Sequence, residues 1–304
     1  MKISGFSFAR NATLLHYPVK ESIQSVLPIC DELVVAVGQG DEGDRTRERI
    51  ESIGDPRIRI VPTVWRERDE LGRHVFAEQT DVALAQCTGD WCLYIQGDEA
   101  IHEDFLPRIR ERCAELVDKP DVEGLLFRFR HFWGDFDHYL VSHAWYPREI
   151  RVVRRGIGVH SYRDAQSFRI DDRKLRVAAV NAEVCHYGWV RPPRLMQRKR
   201  VVFSAAYVGR AAAQERHRQA PAAFDYGPMS RLPRFCGTHP SVMRDWVAAM
   251  DWRDELDYAG VSKTRHKHDR PRYRLVTFLE QHLLGGRQLG GFRNYKLLRK
   301  YGPG

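Results

Sequence analysis

The run WCLYIQGDEAIHED, residues 91–104, places Asp98 and Glu99 directly behind a short apolar segment, with His102, Glu103 and Asp104 just after them. Adjacent carboxylates repel unless they share a proton or a cation. Such an oxygen pair suits Mg2+ or Mn2+, hard ions that one or two carboxylates hold while substrate phosphates fill other positions. A loop of solvated acids fits the same local pattern, because acidic turns are common. His102, Glu103 and Asp104 match the start of a helix, where acids favour the helix dipole without any chemistry.

The elements that must carry these residues alternate. Residues 2–8 read as a strand ending at Arg10-Asn11, Tyr17 to Leu27 as a helix with Ile23, Val26 and Leu27 on one face, and Glu32 to Val37 as a buried strand stopping in the Gly/Asp loop 38–44. Thr46 to Ile53 reads as helix, Arg57 to Val61 as strand, Val75 to Ala85 as helix, and WCLYI as the next strand. This alternation predicts an α/β fold, a Rossmann-like and mostly parallel sheet flanked by helices. In such open sheets, ligands sit beyond the carboxyl ends of the strands, where the loops at Arg10-Asn11, 38–44 and 96–99 converge. Further strands are expected at 123–132, 150–153 and 175–180, and Pro192-Pro193 marks a boundary. Beyond it, Arg194 to Gln214, Arg272 to Leu284 and Tyr295 to Tyr301 read as helices of a basic C-terminal region.

The 304 residues carry a net charge of +9, unevenly placed: residues 191–304 hold 23 Lys/Arg against 9 Asp/Glu, and residues 1–190 hold 26 against 31. A basic C-terminal third suits an anionic partner such as phosphate or an anionic membrane face, or is simply a solvated helical surface. No nucleic-acid-binding motif is visible, so nucleic acid is not expected as a partner. The N-terminus lacks the apolar stretch of a signal peptide, which makes a cytoplasmic location the expectation; the basic tail could add peripheral contact with the inner membrane face, or pack on the catalytic domain and bind acceptor phosphates. The six cysteines are scattered without a CxxC pair and read as buried free thiols.

Three blocks in order, KISGFSFARNA, ESIQSVLPICDELVVAVGQGDEGDRT and ALAQCTGDWCLYIQGDE, resemble the nucleotide-sugar domain of glycosyltransferase family 2, which has the GT-A fold. WYPREIRVVRRG and CHYGW are similar to blocks of the subgroup that includes lipopolysaccharide-core glucosyltransferases. The resemblance covers residues 1–190, implying a catalytic domain there and a separate basic, mostly helical region over 191–304. It implies an inverting, metal-dependent transfer of a sugar from a nucleoside-diphosphate sugar to a glycan or lipid-linked acceptor. Asp98 then corresponds to the metal-binding acid of the family's D-x-D motif, and His186 to its late histidine ligand. A core histidine is the alternative for His186.

The sequence departs from that pattern at Gln96, which replaces the first acid of D-x-D, and at Gly38, where the family places a base-reading Asp. Arg10, Asn11, Asp41 and Asp44 remain as candidate donor contacts, with Asp44 equally suited to capping the helix from Thr46. Gln96 retains hydrogen-bonding capacity toward a ribose. The similar subgroup has a carboxylate a short loop after its WYP…R block, so the resemblance implies Asp164, the sole acid of the loop GIGVHSYRDAQSFR, as the general base that an attacking hydroxyl needs, with Asp137 and Asp135 as fallbacks. Arg148 and Arg151 could clamp phosphate bidentately or be surface strand residues. Trp133, Trp145, Tyr146 and Trp189 could stack on a sugar or belong to the core. The alternatives are a catalytically silent sugar-nucleotide binder and a nucleotidyltransferase.

Overall fold

The computed structural model describes residues 1–65, 75–291 and 293–302. Strands β1 (Ile3–Ala9), β2 (Glu32–Gly38), β3 (Ile58–Thr63) and β4 (Trp91–Tyr94) lie parallel in the order β3-β2-β1-β4. Leu33 to Val37 of β2 are all buried, as strands covered on both faces must be. Helix α1 (Val19–Val26) turns Val19, Ile23 and Val26 inward, while α2 (Thr46–Glu51) is a short turn of helix after the Gly/Asp loop. Helix α3 (Val75–Ala85) packs on β1 and β2, and α4 (Leu106–Leu116) packs on the long later strand Arg173–Val190.

Past β4 the sheet changes character. β8 (Arg148–Arg154) joins β4 antiparallel, β6 (Gly124–Gly134) joins β8 antiparallel, and β11 (Arg173–Val190), 18 residues long, runs parallel to β6. β9 (Val159–Tyr162) and β10 (Ser167–Ile170) form a hairpin on β11. The short strands β5 (Glu99–Ile101), β7 (Tyr139–Leu140) and β12 (Tyr295–Leu297) pair with β11, β6 and β11. Among the described residues, five strand pairings are parallel and six antiparallel. The sheet is therefore mixed, not mostly parallel. β8 and the β9–β10 hairpin are reached by direct returns, which favour antiparallel neighbours, while the parallel pairings of β11 with β6 and β12 span long stretches of intervening chain.

The chain after Pro192 forms α5 (Pro193–Val208), α6 (Arg210–His217), α7 (Arg244–Ala248) and α8 (Pro271–His282), with irregular chain and short 3-10 turns between them. Residues on both sides of the expected boundary share one apolar cluster, in which Phe132, Trp133 and Tyr187 pack with Phe224, Met229 and Trp252. The expected helix at Tyr295 to Tyr301 is instead β12 followed by a 3-10 turn, Arg299–Tyr301. Extended backbone directs Tyr295 and Leu297 to one side, onto the apolar cluster holding Leu175 and Val177. Five cysteines are buried free thiols as expected, whereas Cys236 is exposed. No helix among the described residues is long and apolar enough to cross a membrane.

One buried ion pair fixes the junction between the two halves of the sheet. Glu99, fully buried at the start of β5, accepts from Arg151 Nε at 2.8 Å and Nη2 at 2.6 Å. The guanidinium lies between the rings of Tyr94 (5.2 Å) and Phe129 (4.8 Å). Removing one member of such a pair strands the other charge out of water, at a cost of about 3–5 kcal/mol. Glu99→Ala is therefore expected to lower the urea midpoint by that equivalent with an unchanged slope; a midpoint equal to wild type would show that the pair does not hold the junction.

Candidate active site

β4 ends at Tyr94 and the chain turns through Gln96, Gly97 and Asp98 into β5. The register of β5 on β11 sets Glu99 opposite His186, and the Tyr187 amide donates to the Asp98 carbonyl at 2.7 Å. These pairings bring the Asp98 carboxylate, itself only 8% exposed, to 4.0 Å from His186 Nε2. On the other side of β11, His131 of β6 stands in register with His186, and their Nδ1 atoms are 3.0 Å apart.

The partners decide the tautomers. His131 Nε2 faces the Tyr146 carbonyl at 2.8 Å, an acceptor only, so it carries the proton and leaves His131 Nδ1 as an acceptor. His186 Nδ1 must then donate, and the His186 Nε2 lone pair points to the Asp98 side. Burial lowers both imidazoles, His131 to about 4 and His186 to about 3, so both are neutral at ordinary pH. The gap between His186 and Asp98 is kept open by Gly188: a Cβ there would lie 2.5 Å from His186 Nε2 and 2.8 Å from Asp98 Oδ2. Between His186 and Trp189 the β11 register against β6 shifts by one residue, a bulge of the kind that re-aims side chains beside functional sites.

Lys199 of α5 reaches the same carboxylate. Its Nζ donates to Asp98 Oδ2 at 3.2 Å and to the Gly188 carbonyl at 2.8 Å, and lies 4.8 Å from the Tyr17 ring centroid. Burial pushes the Lys199 ammonium down to about 7, reinforced by the nearby Arg191 charge and opposed by Asp98. Burial would raise Asp98, but the charges of Lys199, His186 and Arg191 outweigh it and hold the carboxyl at about 2. Arg191 is fully buried over Tyr17, with one N–H on the Leu15 carbonyl at 2.7 Å and its Nε and Nη2 without a hydrogen-bond partner. Two cationic side chains, Lys199 and Arg191, and a neutral imidazole thus stand around one carboxylate, a balance that suits an anionic ligand.

Asp98, His186 and Lys199 open into a cavity of about 1020 Å3, at the upper end for small-molecule sites. Asp164 lines it as well, from the four-residue turn between β9 and β10. Its two neighbours, Arg163 and Ala165, adopt left-handed φ values of 58° and 59°, a conformation that costs energy in residues other than glycine. The turn is pinned by Gln96, whose Nε2 donates to the Ala165 carbonyl at 3.1 Å, and by Arg151, whose Nη1 donates to the Gln166 carbonyl at 3.0 Å. Arg163 and Arg169 are directed to the Tyr162 ring, and Asp164 accepts from the Tyr207 hydroxyl at 3.4 Å. Trp145, Tyr146 and Trp189 form an aromatic wall of the cavity, with Trp133 stacked behind Trp189 at 4.8 Å and fully part of the core.

The remaining expected residues divide. Arg10, Asn11 and Asp41 line the cavity, bound to one another: Arg10 Nη2 and Asn11 Nδ2 donate to the Asp41 carboxylate at 3.0 and 2.8 Å. Asp44 neither lines the cavity nor caps α2. Its carboxylate accepts from the Asn11 amide and the Thr13 and Thr46 hydroxyls, clipping the loop after β1 to the start of α2. Arg151 is no phosphate clamp, since its donors are committed to Glu99 and to the Ile150 and Gln166 carbonyls. Arg148 is exposed on β8 and does not line the cavity. The fallback acids are structural: buried Asp135 accepts from the His138 ring and the Tyr258 hydroxyl, and Asp137 pairs with Arg253. His102 Nδ1 accepts from the Asp104 amide at the helix start, as its position predicted.

The residues the sequence reading did not single out are Lys199, His131, Gly188, Tyr17 and Tyr207. Gly188 had a usable signal, because a glycine inside a strand pattern marks a bulge or a close approach. Lys199 sits in the run RKR and looks like any basic helix surface until α5 is placed over the cavity.

No family model matches the chain, and no curated protein matches it. Among solved structures it is similar to glucosyl-3-phosphoglycerate synthase from Mycobacterium tuberculosis in complex with Mn2+, uridine diphosphate and phosphoglyceric acid, at 22% identity and a TM-score of 0.30 over 43% of each chain. The same enzyme with Mg2+ and uridine diphosphate gives the same values. The S. aureus TarS structure, residues 1–349, gives 14% identity and a TM-score of 0.38 over 71% of this chain and 69% of that one. The chain spans about 43% of the length of the synthase.

Proposed function

We propose that the chain transfers a sugar, with inversion, from a nucleoside-diphosphate sugar to the hydroxyl of a glycan or lipid-linked acceptor. The observation that carries this reading is the Asp98–His186 gap: a carboxylate oxygen and an imidazole lone pair 4.0 Å apart, with only Gly188 able to leave the space between them open. Together with the family 2 blocks of the sequence, this gap supports a donor site of GT-A type.

The donor set fits a divalent ion of the Mg2+ or Mn2+ kind, which accepts a carboxylate and an imidazole and takes its other ligands from phosphate oxygens or water. Among the described residues no group of three or more His, Cys, Asp or Glu side chains is placed to hold a metal ion, so phosphate oxygens or water would have to complete the coordination of this pair. Asp98 and His186 would hold the ion, which supplies positive charge to the departing diphosphate. The Arg191 guanidinium, and Lys199 in its protonated form, add positive charge beside it, and charge placed before the reaction costs no reorganisation during it. Asp41, Asn11 and Arg10 border the nucleotide end, and Gln96 offers its amide oxygen there while its NH2 braces the Asp164 turn.

Asp164 acts as general base, taking the proton from the acceptor hydroxyl as that oxygen attacks the anomeric carbon from the face opposite the diphosphate. The Trp145, Tyr146 and Trp189 wall orients the acceptor ring by stacking. A second reading, a sugar-nucleotide binder without turnover, is favoured by the contact of Lys199 with Asp98, which already neutralises the carboxylate. Donor binding without product across an acceptor panel would support it.

Thermal-shift screening of nucleoside-diphosphate sugars with and without Mn2+, followed by product assay, tests both. Asp98→Ala is expected to lose the Mn2+-dependent shift and at least ~100-fold in turnover, and Asp164→Asn to keep the shift while losing a similar factor. Full turnover by Asp164→Asn would remove that residue from the mechanism, and no shift with any donor would reject the proposal. Gly188→Ala fills the gap. It is expected to abolish the Mn2+-dependent shift and to lower stability by about 1–3 kcal/mol, as overpacking does; an unchanged Mn2+ response would place the ion elsewhere.

A further inference from the structure

Helix α8 and the turn after it carry an unusual surface. Leu275 (62% exposed), Phe278 (56%), Leu283 (69%), Leu284 (39%) and Leu289 (48%) are five of the eleven exposed large apolar residues among those described. Leu275 and Phe278 share the outward face of α8, while Val276, Thr277 and Glu280 turn away from it. In the same segment the side chains of Lys267, Arg270, Arg272, Arg274, Arg287 and Arg293 are all exposed. The acids of residues 267–293 are Asp269 and Glu280. Asp269 is half-buried on the His266 amide, and Glu280 is buried on His143 and the Leu289 amide. The exposed charge of the segment is therefore positive throughout.

We propose that this face docks on the interface of an anionic lipid bilayer, with the leucines and Phe278 entering the headgroup region and the arginines meeting lipid phosphates. Exposed apolar side chains on a segment whose exposed charges are all positive fit a surface that is both negative and oily. A second copy of the chain is the poorer occupant, because a self-paired face would set its own cations against one another. The segment is also anchored to the cavity: the Gln288 amide donates to the Trp145 carbonyl at 2.9 Å, and the Thr277 hydroxyl accepts from the His143 amide. Docking would hold the aromatic wall beside the lipid surface. The inference does not depend on the transferase reading.

The test is flotation of the full chain with vesicles of phosphatidylcholine alone and of phosphatidylcholine and phosphatidylglycerol in equal parts. Wild type is expected to float with the anionic vesicles at low salt, to stay behind with the neutral ones, and to lose partition as salt rises. Arg272→Ala with Arg274→Ala is expected to lower the partition coefficient about 30-fold, given the ordinary contribution of a basic residue near an anionic surface. Leu275→Ser with Phe278→Ser is expected to lower it about 10-fold or more, and far-ultraviolet circular dichroism should be unchanged in both pairs. Failure of wild type to float at low salt would overturn the proposal. So would undiminished flotation of the Leu275→Ser/Phe278→Ser protein, which would move the contact elsewhere, or self-association that those substitutions abolish, which would make a second copy the occupant.

Discussion

The placing of the two carboxylates at the cavity depends on the guanidinium of Arg151 being withdrawn from water. It stands on β8, the first strand to run against the parallel set, and its hydrogen bonds reach two different turns. One pair goes to Glu99, which follows Asp98, and a further bond goes to the Gln166 carbonyl in the turn that carries Asp164. Glu99 in turn accepts from the Gln96 amide at 3.2 Å. A single buried cation therefore sets where both carboxylates of the site stand. Burying that charge is tolerable only because a bidentate carboxylate and two carbonyls satisfy its donors between two aromatic faces.

The second constraint is one of space. His131 and His186 form a two-ring relay whose far end is fixed by the Tyr146 carbonyl, so the near end is a lone pair with a set direction. Glycine at 188 leaves that lone pair something to face. The cation that now meets Asp98 comes from α5, which belongs to the basic C-terminal third. The cavity is thus built by both halves of the chain, and the charge imbalance between them is in part the electrostatics of one site.

Much of this was legible in the residues. WCLYI marked the strand and the acids behind it marked the edge of the cavity, both from local pattern, whereas His186 came from the resemblance of the CHYGW block. The failures share a cause. Arg151 looked like a ligand contact because nothing local says that β8 lies in the middle of the sheet, where an arginine must find internal partners. Asp44 looked like a helix cap, yet Thr13 and Asn11, more than thirty residues earlier, claim it. The segment at Tyr295 carries a pattern that suits a basic helix, and only the exposed edge of the long β11 turns it into a strand. Lys199 is invisible without knowing which face of α5 meets the cavity.

The turn that presents Asp164 sets two virtues of a protein against each other. Ala165 holds a left-handed conformation that an L-residue adopts at a cost of roughly 1–2 kcal/mol, whereas glycine adopts it freely. A glycine there would make the folded chain less strained, but it would also let the turn wander among conformations that alanine forbids. The residue that costs stability is the one that narrows the directions in which Asp164 can point. At this position the chain holds aim at the expense of comfort, and any search for a more robust version of the protein would find its easiest gain at the place where accuracy is most easily lost.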